Sequence, residues 1–203
     1  MIPPMMVAAE CYLNQGNFRL AEGFIARASS IEMHKPDLRP TTKAQIRHNE
    51  GLLAMAKNDL QDALIDFADE VYLTSEEYGP IHRKTAIGFC HLGRLFHQTH
   101  DYLNSNSLFR QVVEIWTDFL LPIHEEITAE SIVPKISRMK FKQKVWIEET
   151  DRFDAEQILM HCYINQMECH SFPEDNKFRV PAMDLAHTCY ALSLLFLILK
   201  KPH

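Results

Sequence analysis

Apolar and polar positions alternate along this chain in a pattern that repeats three times. In residues 93–112 a glycine comes three positions before a large apolar residue, a polar turn follows, and a second apolar stretch starts beyond it. Within each stretch the apolar residues recur every three to four positions, which is the period of an α-helix. The pattern therefore predicts pairs of antiparallel helices in which a small side chain of one helix faces a large side chain of the other.

The three copies of the pattern share one spacing. Their small anchor residues are Ala9, Gly51 and Gly93, which lie 42 residues apart. One helix pair cannot bury its own apolar face, so neighbouring pairs must stack to complete the core. The residues predicted to make the repeat contacts are Ala9, Tyr12, Ala21, Gly51, Ala63, Phe67, Gly93, Phe96, Ser105 and Phe109.

This layout resembles the tetratricopeptide (TPR) repeat, and its long period is similar to that of the repeats in kinesin light chains. The resemblance implies an all-α, TPR-like solenoid of antiparallel helix pairs. We predict repeats over residues 3–36, 41–78 and 80–121, which make up a region 1–121. Carried forward, the period places lysines at anchor positions. Residues 122–203 are therefore interpreted as divergent C-terminal helices of a truncated array.

Prolines and capping residues set the predicted helix boundaries. Thr41 or Thr42 can cap the third helix, Pro80 opens the fifth, and Pro122 ends the sixth. Later helices are predicted over residues 123–144 with an interruption at Pro134, over residues 153–167, and over residues 180–199.

Composition and charge narrow the function classes. The net charge of −6 argues against nucleic-acid binding, which needs a basic face. The odd, scattered cysteines predict reduced thiols in a cytosolic compartment. The sequence contains none of the GxGxxG, P-loop, HExxH or GxSxG motifs, so we predict neither an enzyme nor a cofactor. The five cysteines are Cys11, Cys90, Cys162, Cys169 and Cys189.

Three clusters of reactive side chains are interpreted as structural. Cys162 and Cys169, flanked by His161 and His170, are predicted to be buried thiols beside exposed histidines, so no metal site is expected. An acidic set and a basic set are each predicted to be a solvated helix face, although the basic set can also contact an acidic partner such as tubulin or a neighbouring subunit. The acidic set is Asp66, Asp69, Glu76 and Glu77, and the basic set is Lys135, Arg138, Lys140, Lys142 and Lys144.

The first helices of the TPR pairs are predicted to line a partner-binding groove. Chaperone-binding TPR proteins hold a peptide carboxylate with lysine and asparagine at such positions, whereas Glu10 would repel a carboxylate. The predicted groove residues are Glu10 and Asn14 in the first helix, Gln45, His48 and Leu52 in the third, and Arg94, His97 and Gln98 in the fifth.

A closer resemblance covers roughly residues 5–121. The runs NEGLL at 49–53, ADEVY at 68–72, FCHL at 89–92 and VEIW at 113–116 are similar to the helical half of MYND-type zinc-finger proteins of cilia and sperm flagella. The chain has no CxxC pair, so the zinc finger of that family is absent and no zinc-ligand role transfers. The resemblance implies a non-catalytic scaffold in the cytoplasm, at the axoneme of a cilium or flagellum.

The implied partner is another TPR protein or an axonemal dynein component. The alternative is a peptide-binding co-chaperone or a transport adaptor. The apolar C-terminal stretch ALSLLFLIL is predicted to pack in protein and not in a membrane, because a span of sufficient length would include Asp184 and His187. Its outer face is predicted to be an exposed apolar patch left by a missing partner helix.

Overall fold

The computed structural model describes residues 2–132 and 147–200, and these residues form α-helices and no β-strand. The predicted all-α class is therefore confirmed. The helices are α1 (Ile2–Asn14), α2 (Phe18–His34), α3 (Pro40–Lys57), α4 (Leu60–Tyr78), α5 (Arg83–Gln98), α6 (Tyr102–Ile132), α7 (Glu149–His170) and α8 (Ala182–Lys200).

The chain divides into two compact units, Met1–Ser105 and Asn106–His203. In the first unit α1 packs against α2 and α3, α3 packs against α4, and α4 packs against α5. One apolar cluster joins α1, α2 and α3, and a second joins α4 to α5 through Phe67 and Leu95. Each cluster draws on neighbouring helix pairs, as a stacked repeat requires.

The turns inside the three repeats have the same backbone conformation. Gly16, Asn58 and His100 lie 42 residues apart and have φ values of +73°, +66° and +62°. In each turn the next residue donates its backbone N–H to a carbonyl five positions earlier, at N···O distances of 2.8 to 2.9 Å. This pattern is a Schellman C-cap, which satisfies carbonyls at the helix end. The polar turns of the sequence pattern therefore all form the same helix C-cap.

The predicted contact between small and large side chains is present in the second repeat. Gly51 is buried on α3, and a Cβ atom built there would lie 2.6 Å from the ring of the fully buried Phe67 on α4. In the third repeat the Ser105 hydroxyl donates a hydrogen bond of 2.8 Å to the Gly93 carbonyl. The anchors Ala9, Ala21 and Ala63 are fully buried.

The predicted boundaries of α3 and α5 are wrong by a few residues. Helix α3 begins at Pro40, so Thr41 and Thr42 lie inside its first turn and neither caps it. The fixed φ of proline and its missing N–H suit this first helical position. Helix α5 begins at Arg83 and not at Pro80, because the His82 side chain accepts the Lys84 N–H and caps the helix.

Helix α6 does not end at Pro122, as predicted, but continues through it to Ile132. A proline inside a helix removes one backbone hydrogen bond and costs about 3 kcal/mol. Leu120 and Ile123 on either side are almost fully buried. Burying two such side chains stabilises the fold by roughly 1.5–3 kcal/mol each, which is enough to offset the proline. The predicted interruption at Pro134 lies outside the described residues.

In the second unit α7 packs against α8, and a chain of polar side chains connects them with α6. Asp184 of α8 accepts hydrogen bonds from Asn106 at 3.2 Å and from Arg110 at 2.8 Å. The buried Gln166 of α7 accepts a 2.5 Å hydrogen bond from the hydroxyl of Thr188. Buried polar groups connected in this way favour one packing arrangement of the helices.

Within the described residues, α8 is long and apolar enough to cross a membrane by length and composition, with a mean hydropathy of 1.7 over its most apolar window. Its Asp184 and Thr188 nevertheless bind side chains of α6 and α7. The predicted apolar outer face is present, because Met183, Tyr190 and Leu197 are exposed. These contacts favour packing of α8 against protein.

Candidate functional site: a buried histidine–glutamate–histidine cluster

The predicted groove residues do not form one continuous set of contacts. Leu52 packs into the apolar cluster around Phe67, and the ring of His97 meets the Tyr102 ring edge-on at 5.2 Å. The Gln98 amide is 3.5 Å from Asn58. Asn14 and Gln45 are exposed on α1 and α3. The remaining predicted groove residues are Glu10, His48 and Arg94.

Glu10, His48 and Arg94 interact electrostatically across α1, α3 and α5. Burial acts to lower the pKa of His48, but the neighbouring Glu70 carboxylate outweighs it and raises this pKa. The charge of Glu10 raises the pKa further, and the charge of Arg94 opposes the rise. The charges of Glu10 on α1 and Arg94 on α5 therefore both act on His48 of α3.

The centre of this position is a cluster of three ionisable side chains that the sequence did not reveal. The Nδ1 atom of His48 lies 3.0 Å from Oε1 of Glu70, and Nδ1 of His91 lies 3.7 Å from Oε2 of the same carboxylate. The two imidazole rings meet edge-on with centroids 4.7 Å apart. Phe67 stacks on the His91 ring at 5.1 Å. Helices α3, α4 and α5 each contribute one member of the cluster.

The three side chains hold different charges at neutral pH. Burial acts to raise the pKa of Glu70, but His48 and His91 lower it to about 2, so the carboxylate is ionised. The pKa of His48 is raised, because the charge and hydrogen bond of Glu70 outweigh burial. Burial lowers the pKa of His91 to about 4, and this ring stays neutral. A neutral imidazole has a free lone pair, which is the form that binds metal ions.

The cluster occupies positions that are apolar or uncharged in the neighbouring repeats. The residues 42 positions before His48, Glu70 and His91 are Met6, Ala28 and Asn49. The residues 42 positions after His48 and Glu70 are Cys90 and Val112. All five are buried. Comparing the repeats position by position is the sequence signal that identifies the cluster, because the preceding interface has Met6, Ala28 and Asn49 where this one has His48, Glu70 and His91.

Three of the four residues in the acidic set are solvated, as predicted, and the fourth is not. Asp69, Glu76 and Glu77 are exposed, whereas Asp66 is partly buried. Burial raises the pKa of Asp66 to about 7, the Glu50 carboxylate adds to the rise, and Arg47 opposes it. The correction has a simple cause, since Asp66 on α4 is turned toward the charged side chains of α3.

Arg47 is the cation around which this acidic group is arranged. It forms ion pairs with Glu32 of α2 at 2.9 Å and with Glu50 of its own helix. Glu50 also accepts a 2.6 Å hydrogen bond from the Ser29 hydroxyl. These ion pairs and the hydrogen bond connect α2 with α3.

The cysteines are free of disulfides, and Cys162 and Cys169 are buried, as predicted. Burial raises the pKa of Cys169 to about 11, so this thiol is not reactive at neutral pH. The histidines beside them are not exposed, which corrects the prediction. His170 is partly buried, and its Nδ1 atom lies 2.9 Å from the Val180 carbonyl oxygen. The basic set at positions 135–144 lies outside the described residues.

A shallow cleft of about 500 Å³ lies in the second unit between α6 and α8. Its walls include the Arg110–Asp184 ion pair together with Met183 and Tyr190. The hydrogen bond and charge of Asp184 raise the pKa of Arg110. Glu114 and His187 also line the cleft, so its surface is partly polar and partly apolar.

No family model matches the chain. Among solved structures, the chain is similar to the nearly identical TPR-like repeats assigned to a kinesin light chain of Podosopora anserina, with a TM-score of 0.52 and 14% identity. The match covers 97% of this chain and 92% of that chain. A single-residue variant of the same protein matches over the same shares, with a TM-score of 0.51 and 15% identity. These likenesses show a TPR-like fold.

Proposed function

We propose that this chain is a non-catalytic scaffold that binds other proteins along the first helices of its TPR-like pairs. The observation that carries the proposal is the row of Glu10, His48 and Arg94, which places mixed charge on α1, α3 and α5. A surface of this kind suits recognition of a partner helix or segment by complementary charge. TPR-like folds act mainly through such protein–protein contacts.

We further propose that the chain acts in the axoneme of a cilium or flagellum, bound to another TPR protein or to an axonemal dynein component. The support is its resemblance to the helical half of zinc finger MYND domain-containing protein 12, over runs such as residues 49–53 and 68–72. The chain would contribute the helical scaffold of such a protein.

Charge at the groove separates this proposal from a chaperone adaptor. Glu10 is exposed on α1, and its negative charge acts on His48. A peptide carboxylate arriving at this position would be repelled and would lose its hydration as well. A partner that offers a basic or mixed surface suits the row better than the acidic C-terminus of a chaperone.

The test is retention of the tagged chain in ciliated cells after detergent extraction. The wild-type chain should stay with the axoneme, and a Glu10→Lys/Arg94→Glu variant should be released. Arg27→Glu is the matched control, because Arg27 is exposed on α2 and does not belong to the row. Circular dichroism melting of each purified variant would verify that the fold is retained.

Two results would contradict the proposal. Release of the wild-type chain with the soluble fraction would refute an axonemal role. Recovery of the wild-type chain with a chaperone, abolished by the groove variant, would favour the adaptor function instead.

A further inference from the structure

We propose that His48, Glu70 and His91 form a binding site for a single divalent transition-metal ion, with Zn²⁺ as the ion that best fits the donor set. The site shares His48 with the row proposed to bind a partner protein, but its test measures metal binding alone. Two imidazole nitrogens and one carboxylate oxygen are ligands that Zn²⁺ uses in proteins, and this set leaves one coordination position for water or another group.

The geometry requires only small movements. One ligand atom from each of the three side chains lies within 4.8 Å of the other two. In a tetrahedral zinc site with bonds of about 2.0–2.1 Å, ligand atoms are about 3.4 Å apart. His48 Nδ1 and Glu70 Oε1 are already 3.0 Å apart. A shift of about 1.4 Å at the third ligand closes the site, which side-chain rotation can supply.

The cluster contains polar atoms that the protein itself leaves unsatisfied. Among the described residues, Oε2 of Glu70 and Nδ1 of His91 are buried and face each other at 3.7 Å, which is longer than a normal hydrogen bond. Glu70 is only 4% exposed. A buried polar atom without a partner costs about 1–3 kcal/mol. A cation between the carboxylate and the two imidazoles would satisfy both atoms at once.

The repeat pattern indicates that packing does not require these residues. The preceding interface fills the three corresponding positions with Met6, Ala28 and Asn49, and all are buried. The same helix packing is therefore compatible with uncharged side chains. Burying a carboxylate between two imidazoles carries a desolvation cost that the uncharged side chains of the preceding interface avoid. Ligation of an ion is a role that accounts for all three residues together.

The cluster lies near the protein surface and contains a carboxylate. The His48 and His91 side chains keep 17% and 13% of their surface exposed. The Arg94 charge opposes a cation near His48, whereas the charge of Glu10 attracts it. Because an imidazole must be neutral to bind a metal, the ion would displace any proton that His48 shares with Glu70 across their 3.0 Å contact.

The experiment uses the full chain, freed of metal by chelation and dialysis. Titration with Zn²⁺ in a calorimeter should give one ion per chain, and titration with Co²⁺ should give the visible absorption of a tetrahedral site. Glu70→Gln keeps the side-chain shape but removes the charge, and His91→Asn introduces the residue of the preceding interface. Each should weaken Zn²⁺ binding at least tenfold, and each should abolish the Co²⁺ spectrum.

Controls separate this site from the other histidines and from the thiols. His100→Gln removes an exposed histidine of the neighbouring turn, and Cys162→Ser removes a buried thiol of the second unit. Both variants should bind Zn²⁺ like the wild type. A double variant, His48→Met/His91→Asn, carries residues that the first interface accommodates and should remain folded by circular dichroism while losing the ion.

Three outcomes would overturn the proposal. The first is that the wild-type chain does not bind Zn²⁺ at micromolar concentrations. The second is that Glu70→Gln and His91→Asn bind Zn²⁺ as tightly as the wild type. The third is that Cys162→Ser abolishes binding, which would place the ion at the thiols.

Discussion

At the scale of single residues, Gly51 marks a close approach between the two helices of one repeat. We predict that Gly51→Ala lowers the free energy of unfolding by about 1–3 kcal/mol, because the new methyl group would overpack the core. Its Cβ would lie 2.6 Å from the ring of the fully buried Phe67, so one of the two must shift. Urea denaturation measures the change.

Gly23→Ala is the matched control for this substitution. Gly23 lies in α2, and a Cβ there would meet no atom within 4 Å. Since alanine is the better helix former, this change should stabilise the chain by about 0.5–1 kcal/mol. If both variants gain stability alike, close approach at Gly51 is not what selects glycine.

The raised pKa of Asp66 predicts that the stability of the fold depends on pH. Its pKa is raised to about 7 in the folded chain, by burial first and then by Glu50, with smaller contributions from Asp62 and Asp69 and an opposing one from Arg47. The unfolded pKa is about 3.9. The folded state therefore binds the proton more tightly, and this stabilisation is complete below about pH 4 and is lost as the pH rises through about 7.

We expect Asp66→Asn to be more stable than the wild type at pH 8 and equally stable at pH 4. After allowance for solvent screening at this partly exposed side chain, the difference at pH 8 should be about 1 kcal/mol. Thermal melts at both pH values measure it. Asp69→Asn, at an exposed position of the same helix, should stay within about 0.5 kcal/mol of the wild type. A gain for Asp66→Asn that persists at pH 4 would contradict the assignment.

At the scale of elements, α8 has one buried face and one exposed apolar face. Leu194, Leu195 and Ile198 are almost fully buried, whereas Met183, Tyr190 and Leu197 are exposed and lie seven residues apart. That spacing places the exposed side chains along one side of the helix. An exposed apolar stripe of this length favours association with another apolar surface.

We predict that the chain self-associates through this stripe of α8. A Tyr190→Lys/Leu197→Lys variant should sediment as a monomer at tens of micromolar, a concentration typical of moderate interfaces, while its melting temperature is unchanged. Glu156→Lys, at an exposed position of α7, is the control and should associate like the wild type. A wild-type chain that is monomeric under these conditions would refute the prediction.

At the scale of the whole molecule, the period of 42 residues determines more than the number of helices. It sets the equivalent turns at Gly16, Asn58 and His100, which share a left-handed backbone conformation although their side chains differ. It also sets the positions at which repeats can be compared. The interface between the second and third repeats departs from its neighbour at His48, Glu70 and His91, and this departure is the strongest indication of a specialised site.

The sequence by itself determined the all-α class, the helix pairs, their turns and the small anchor positions. These features depend on spacings of three to four residues within a helix and on one repeat length, which are local or periodic properties of the chain. Helix ends were predicted less well. At Pro122 the free energy gained by burying Leu120 and Ile123 outweighs the cost of the proline. The sequence pattern alone does not show how these two free energies compare.

Only the tertiary structure decided which ionisable groups meet. His48 and Glu70 are 22 residues apart, and His91 follows a further 21 residues later on a third helix. A search for closely spaced ligands therefore predicts no metal site, whereas the stacking of α3, α4 and α5 brings the three side chains together. The pKa of Asp66 has the same origin, since its neighbours Arg47 and Glu50 lie on another helix. Charge interactions depend on distance in space, and the packing of the helices sets that distance.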